Sequence, residues 1–113
     1  AAQEKERELD HAPFGIIGLE TALSLSLILV EEGVLTLPEM IRKLTQNPAD
    51  ILRKKIGRLA IGGVADVTII DPAVEWTVKE GGFKSKSQNS PFIGWKMKGR
   101  ATAVIVAGKV IEN

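Results

Sequence analysis

The chain has 113 residues, which is enough for one small domain with a modest core. Its formal net charge of +1 produces no strong field that would attract nucleic acid or an acidic partner. The chain has no cysteine, so it can form neither a disulfide nor a thiolate metal site, and this fits a reducing compartment. It has one histidine and no tyrosine. A histidine-based metal site or catalytic triad must therefore use His11 or residues outside the chain.

The first nine residues are dense in charge and contain no apolar stretch, so they do not resemble a signal peptide. They predict an exposed loop or a frayed helix. Because they begin abruptly, without a helix cap, we expect the chain to be cut from a longer protein at this point. The most apolar stretch, residues 22–30, is too short to span a bilayer, so we expect no membrane partner.

The first predicted helix follows a turn at residues 12–15. It covers residues 19–32 and stops at Gly33, which suits the position just after a helix end. Its centre, ALSLSLILV, is apolar nearly all round, and such a helix has to be buried on several sides. A chain of this length has little material for that. The pattern therefore predicts a missing partner segment and disfavours an independent binding module.

Two shorter helices are predicted next. Thr36 and Glu39 have the spacing of a capping box, with a proline in the first turn, and this helix runs to about Leu44. Asn47 is predicted to cap a third helix, which ends near residues 54–55.

The pattern changes after about residue 57, where alternating and β-branched residues predict a small β layer. The boundary between helices and strands is predicted near residues 55–60. Residues 79–90 are polar and predict a loop. Strands are predicted at residues 58–61, 66–70, 75–78, 101–106 and 109–111, the last two joined across Ala107-Gly108.

The sequence Asp10-His11-Ala12-Pro13 could supply a metal ligand and a base. In (β/α) barrels such residues end a buried inner strand, which should be rich in Val, Ile or Leu. The residues before Asp10 are instead charged. We therefore interpret His11 as a histidine of a surface loop.

Other motifs also have structural interpretations. Neither glycine pair, at residues 62–63 and 81–82, is followed by a Gly-Lys-Ser/Thr motif, so both predict turns between strands rather than phosphate loops. Ser24 and Ser26 have no histidine nearby in the sequence, so they indicate helix packing rather than a nucleophile. Acidic residues dilute the basic character of residues 84–100, so no nucleic-acid partner is expected.

Three stretches of the sequence stand out, at residues 12–22, 46–71 and 85–113. Together they resemble bacterial-type dihydroorotases of the amidohydrolase superfamily. Residues 12–22, APFGIIGLETA, resemble the segment after the last metal motif of these enzymes. Residues 46–71 resemble the superfamily pattern in which an Asn-Pro-Ala helix leads into a Gly-x-x-Ala-Asp-x-x-x-x-Asp strand. Residues 85–113 resemble the end of the same enzymes, where a returning strand closes in a Gly-Lys hairpin. The resemblance covers nearly the whole chain.

The resemblance implies an α/β fold: the C-terminal helices of a metal-dependent (β/α)8 barrel, followed by part of a small β-sandwich. Residues 1–15 would form an active-site loop, residues 16–56 the last helices of the barrel domain, and residues 57–113 the C-terminal part of the sandwich. The upstream segment of the same protein is then an expected partner.

The resemblance also implies an activity for the full-length protein. It would be a cytoplasmic, zinc-dependent cyclic amidohydrolase that interconverts N-carbamoyl-L-aspartate and dihydroorotate in de novo pyrimidine biosynthesis. Its partners would be this small-molecule substrate, further copies in a homo-oligomer, and aspartate carbamoyltransferase. Two alternatives stay open: a hydantoinase or allantoinase relative, and a non-catalytic homologue that scaffolds aspartate carbamoyltransferase.

Residue roles follow from the family motifs. Zinc would be held by histidines and an Asp upstream of Ala1, because the family's Asp-His-Ala-Pro-His motif comes before the charged loop. Asp10 and His11 follow that loop, and Pro13 is followed by Phe14, so neither is expected to bind metal. Phe14 and Gly15 match the position where family members contact substrate through main-chain groups. No catalytic residue is expected in this segment, which we expect to be inactive alone.

Overall fold

A computed structural model describes residues 15–112 as three helices followed by three strands. This order agrees with the predicted change from helices to a β layer. The elements are α1 (Leu19–Glu31), α2 (Leu37–Leu44), α3 (Gln46–Ile51), β1 (Val67–Thr77), β2 (Lys96–Val106) and β3 (Lys109–Glu112).

Helix α1 ends where its sequence predicts. The N–H of Gly33 donates to the carbonyl of Val30 at 3.1 Å, and the N–H of Val34 donates to the carbonyl of Leu29 at 2.9 Å. These two bonds close the last turn in a Schellman motif, with glycine in its preferred place. The prediction for this helix is confirmed.

The capping box of α2 is also confirmed. The Thr36 hydroxyl accepts from the Glu39 N–H at 3.3 Å, and the Glu39 carboxylate accepts from the Thr36 N–H at 3.3 Å. Hydrogen bonds from the hydroxyl and N–H of Thr36 hold the pKa of the Glu39 carboxyl below its usual value. Met40 is the buried residue of α2.

The predicted bounds of α3 are wrong at both ends. The cap is Thr45 rather than Asn47, so the helix starts two residues earlier. It ends at Ile51 because Arg53 takes a left-handed conformation, with φ +54°. The N–H of Lys54 then donates to the carbonyl of Ala49 at 2.9 Å and closes the helix. No glycine marks this end, so local sequence signals place it too late.

The three strands form one antiparallel sheet in the order β1-β2-β3. The two strands predicted at residues 66–70 and 75–78 are a single strand, β1, with irregular pairing between Asp71 and Glu75. Pro72 has no N–H for the ladder, and the Asp71 carboxylate accepts from the Ala73 N–H at 2.9 Å. The side chain thereby replaces part of the ladder and lets the strand continue.

Residues 58–61, predicted as a strand, instead form a bend, an irregular stretch and the start of a turn. The Gly63 N–H donates to the carbonyl of Ala60 at 3.0 Å, so the first glycine pair is a turn, as interpreted from the sequence. The hairpin between β2 and β3 is confirmed. Its turn residue Ala107 has φ +48°, and the Ala107 N–H donates to the Asp66 carboxylate at 2.8 Å.

Helix α1 packs on the sheet and forms a buried hydrogen bond with β2. The Ser24 hydroxyl donates to the Gly99 carbonyl at 2.6 Å, and the Trp76 indole N–H reaches the same carbonyl at 3.0 Å. A Cβ atom at Gly99 would overlap the Leu27 side chain, so the close approach depends on glycine. Arg100 lies 4.3 Å above the Trp76 ring and covers it on one face.

The two α1 serines therefore differ in role. Ser26 donates to the carbonyl of Ala22, one turn back in its own helix, at 2.7 Å, which confirms the packing interpretation for that residue. Ser24 is 2% exposed and joins the helix to the sheet.

The apolar surface of the described residues is only partly covered. Along α1 the buried stripe is Thr21, Ser24 and Leu27, and most of the remaining apolar side chains of the helix keep intermediate exposure. Open grooves of about 560 and 610 Å³ run along the helix. The most exposed large apolar side chains are Leu19 (95%), Ile51 (82%), Leu59 (78%) and Ile61 (109%). Such a surface is suited to contact with further polypeptide.

Candidate functional site

Gly15 is the one predicted substrate-contact residue that the structure describes. Phe14, Asp10 and His11 lie outside the described residues. Gly15 is exposed, and its φ of +56° is readily adopted only by glycine. Among the described residues, no atom beyond its chain neighbours lies within 4 Å of where a Cβ would stand, so the backbone conformation favours glycine here.

Asn89 holds the segment that begins at Gly15. Its side-chain amide donates to the Gly15 carbonyl at 2.8 Å, and its own carbonyl accepts from the Ile17 N–H at 2.9 Å. One residue thus brackets Ile16 with bonds on both sides. The segment leading into α1 is thereby fixed to the loop that carries Asn89.

That loop, residues 79–94, is called the strap below. Its two ends meet where the Val78 N–H donates to the Trp95 carbonyl at 2.9 Å and Phe92 packs edge-on against Trp95, with ring centroids 5.0 Å apart. Within the strap, the Gln88 side chain accepts from the Gly81 N–H at 3.0 Å and donates to the Ser85 carbonyl at 3.0 Å. The second glycine pair is part of a turn, as predicted, because the Gly82 N–H donates to the Lys79 carbonyl at 3.1 Å.

Glu20, in the first turn of α1, attaches the helix to the strap. Its carboxylate accepts from the Lys84 N–H at 3.2 Å and from the Ser85 N–H and hydroxyl, both at 3.0 Å. Slight burial raises the pKa of the Glu20 carboxyl, but these hydrogen bonds and the positive charge of Lys84 outweigh it and lower the pKa below its usual value. The carboxylate is therefore charged at neutral pH.

The contacts of Asn89 and Glu20 suit the segment from Gly15 to α1 for binding a ligand through its main chain. Two bridges, through Asn89 and Glu20, hold the residues on either side of Gly18 against one internally bonded loop. Such a frame can present main-chain groups of Gly15 to a ligand at low entropic cost. Carbonyl and carboxylate groups are suitable ligands because main-chain N–H groups donate to them.

The sequence interpretation missed Asn89, Glu20 and Gln88. It assigned residues 79–90 to a polar loop and used residues 85–113 only as part of the family resemblance. The partners of Glu20 and Asn89 lie 64 to 74 residues away along the chain, beyond the reach of any local spacing rule.

Residues 15–112 contain no cluster of three or more His, Asp or Glu side chains that could hold a metal ion. The described part of the chain thus does not provide the donor set that zinc requires. In that same part, no helix is long and apolar enough to cross a membrane.

The sequence model of the amidohydrolase family matches residues 8–111. The chain is 56% identical to a dihydroorotase of Geobacter metallireducens over 108 residues, which are 96% of this chain and 26% of that protein. It is 44% identical to a dihydroorotase of Syntrophus aciditrophicus over 111 residues, 98% of this chain and 26% of that one. The chain therefore spans about a quarter of the length of the curated relatives it matches.

The fold of the chain is similar to that of solved hydantoinase structures. A D-hydantoinase superposes with a TM-score of 0.84 at 26% identity, covering 98% of this chain and 25% of that one. The L-hydantoinase (dihydropyrimidinase) of Arthrobacter aurescens superposes with a TM-score of 0.84 at 29% identity, covering 99% and 26%. Because the family model matches nearly the whole of the chain, this chain belongs to the amidohydrolase family.

Proposed function

We propose that this chain is the C-terminal part of a dihydroorotase, a cyclic amidohydrolase that interconverts dihydroorotate and N-carbamoyl-L-aspartate. The observation that carries the proposal is the 44% to 56% identity to dihydroorotases over 96% to 98% of the chain. Identity to the hydantoinases of similar fold is lower, at 26% to 29%.

Within the full-length enzyme, residues 1–15 would form an active-site loop, residues 16–56 the last barrel helices, and residues 57–113 part of the β-sandwich. The partly exposed α1 and the exposed Ile51, Leu59 and Ile61 support this division, because they would be covered by the rest of the enzyme. Burial of one such side chain contributes roughly 1.5–3 kcal/mol, so docking would add substantially to stability.

The proposed reaction opens the dihydroorotate ring with one water molecule. The amide C–N bond breaks, the water oxygen joins the carbonyl carbon, and the nitrogen gains a proton, which leaves N-carbamoyl-L-aspartate. This chain would bind and orient the ring. The N–H of Gly15 would donate to a carbonyl or carboxylate oxygen of the substrate, with Phe14 beside it.

Zinc, which the resemblance implies, would polarise the ring carbonyl and activate water when bound. Its ligands would come from parts of the enzyme other than residues 15–112, where no suitable cluster is present. A cytoplasmic location and assembly into a homo-oligomer, or with aspartate carbamoyltransferase, are also supported by the resemblance.

The proposal is tested by purifying the full-length protein and measuring kcat/KM for dihydroorotate, hydantoin and dihydrouracil. We expect dihydroorotate to be the preferred substrate, and we expect the separately expressed 113 residues to be inactive. A preference for hydantoin or dihydrouracil would favour the second candidate, a hydantoinase, to which the structural likeness points. Inactivity on all three with a stable fold would favour the non-catalytic scaffold.

A further inference from the structure

We propose that Asn89 is a positioning residue for substrate binding, acting through the main chain of Gly15. The inference rests on the proposed function, since it takes Gly15 as a substrate contact. It assigns a role in binding to the strap, whose residue Asn89 lies 74 residues away from Gly15 along the sequence.

Two hydrogen bonds to Asn89 fix the backbone conformation of the segment that begins at Gly15. The side-chain amide donates to the Gly15 carbonyl at 2.8 Å, and the main-chain carbonyl of Asn89 accepts from the Ile17 N–H at 2.9 Å. Glycine has access to more backbone conformations than any other residue, so an unanchored Gly15 would lose much entropy when it binds a ligand. The two bonds remove that freedom in advance.

The strap can act as a rigid support because it is bonded within itself and at both flanks. Gln88, next to Asn89, joins Gly81 to Ser85 through its side-chain amide. Glu20 holds the Lys84 and Ser85 N–H groups against the start of α1. A shift of Asn89 would therefore disturb several hydrogen bonds rather than one.

The hydrogen bond to the Gly15 carbonyl requires a side chain at position 89 that can donate. The Gly15 carbonyl is an acceptor, so its partner must donate, and an asparagine amide has two donor hydrogens. An aspartate at position 89 would keep the shape but would place negative charge against a carbonyl oxygen. The Asn89→Asp variant thus removes the donor without changing the volume, and Asn89→Ala removes the side chain.

The experiment uses the full-length enzyme and measures KM and kcat for dihydroorotate together with hydrogen exchange at the Ile17 amide. A hydrogen bond contributes about 0.5–1.5 kcal/mol net, so we expect KM to rise roughly two- to twelvefold in both Asn89 variants, while kcat changes less than about twofold. Exchange at Ile17 should become faster.

Thr36→Ala is the matched control, because it removes an exposed polar contact that does not involve the strap. It should leave KM and Ile17 exchange unchanged. A raised KM in Thr36→Ala equal to that of the Asn89 variants would show a general loss of stability and would overturn the proposal. An unchanged KM in Asn89→Asp, with or without faster exchange, would overturn it as well.

A failure of the proposed function can be distinguished from a failure of the role proposed for Asn89. If the wild-type enzyme prefers another cyclic amide, the same KM comparison on that substrate decides the role of Asn89. If it turns over none, the positioning of substrate is refuted together with the activity, and Ile17 exchange reports only the structural bond.

Discussion

Replacing Gly99 with alanine should weaken the contact between α1 and β2 through two separable effects. Gly99 has φ +92°, and an alanine in the left-handed region costs roughly 1–2 kcal/mol. The added Cβ would also overlap Leu27, which is 8% exposed, and overpacking of this kind costs typically about 1–3 kcal/mol. The two effects together predict a loss of roughly 2–5 kcal/mol.

Gly108→Ala separates these effects. Gly108 has φ +81°, but within residues 15–112 no atom beyond its chain neighbours lies within 4 Å of its Cβ position, so we expect only the conformational cost of roughly 1–2 kcal/mol. The assay is the urea midpoint of the full-length protein for each variant. We expect Gly99→Ala to lower the midpoint more than Gly108→Ala does.

A double-mutant cycle with Leu27→Ala then tests the steric origin. The smaller side chain removes the overlapping atoms, so the double variant should be less destabilised than the sum of the single variants, by about 1–3 kcal/mol. Equal midpoints for Gly99→Ala and Gly108→Ala, with no coupling to Leu27, would refute the close contact described here.

Three further results are expected. Gly15→Ala should raise KM for dihydroorotate with little change in the urea midpoint, because the strain falls on an exposed segment; an unchanged KM would argue against a substrate contact there. Glu20→Gln should lower the free energy of unfolding at neutral pH, because a carboxyl with a depressed pKa stabilises the fold only when it is charged. The difference in unfolding free energy from wild type should disappear as the pH falls through the lowered pKa of Glu20, below 4.5. A difference that persists at lower pH would contradict this. Thr36→Ala should cost about 0.5–2 kcal/mol through loss of the cap while KM stays constant, as measured by urea unfolding and steady-state kinetics.

The features predicted correctly from sequence depend on contacts between near neighbours in the chain. The capping box of α2 joins residues three apart, and the end of α1 depends on Gly33. Both signals lie within one or two helical turns and can be recognised without knowledge of the fold. The hairpin turn at residues 107–108 is of the same kind.

The features that sequence reasoning missed depend on distant contacts or on unusual conformations. The early end of α3 requires a left-handed Arg53, which propensity does not predict. Trp76, Ser24 and Gly99 meet only after α1 has packed on the sheet. The candidate site follows the same rule: a resemblance could indicate Gly15, but Asn89 reaches it only in the folded chain.

We propose that Gly15, held by the strap, contacts the substrate of a dihydroorotase. The most direct measurement is a crystal structure of the full-length enzyme with dihydroorotate bound. We expect a substrate oxygen within about 3.2 Å of the Gly15 nitrogen, with the hydrogen bond from the Asn89 amide to the Gly15 carbonyl intact. Dihydroorotate bound away from the main chain of residues 14–17, or an Asn89 side chain turned away from Gly15, would contradict it.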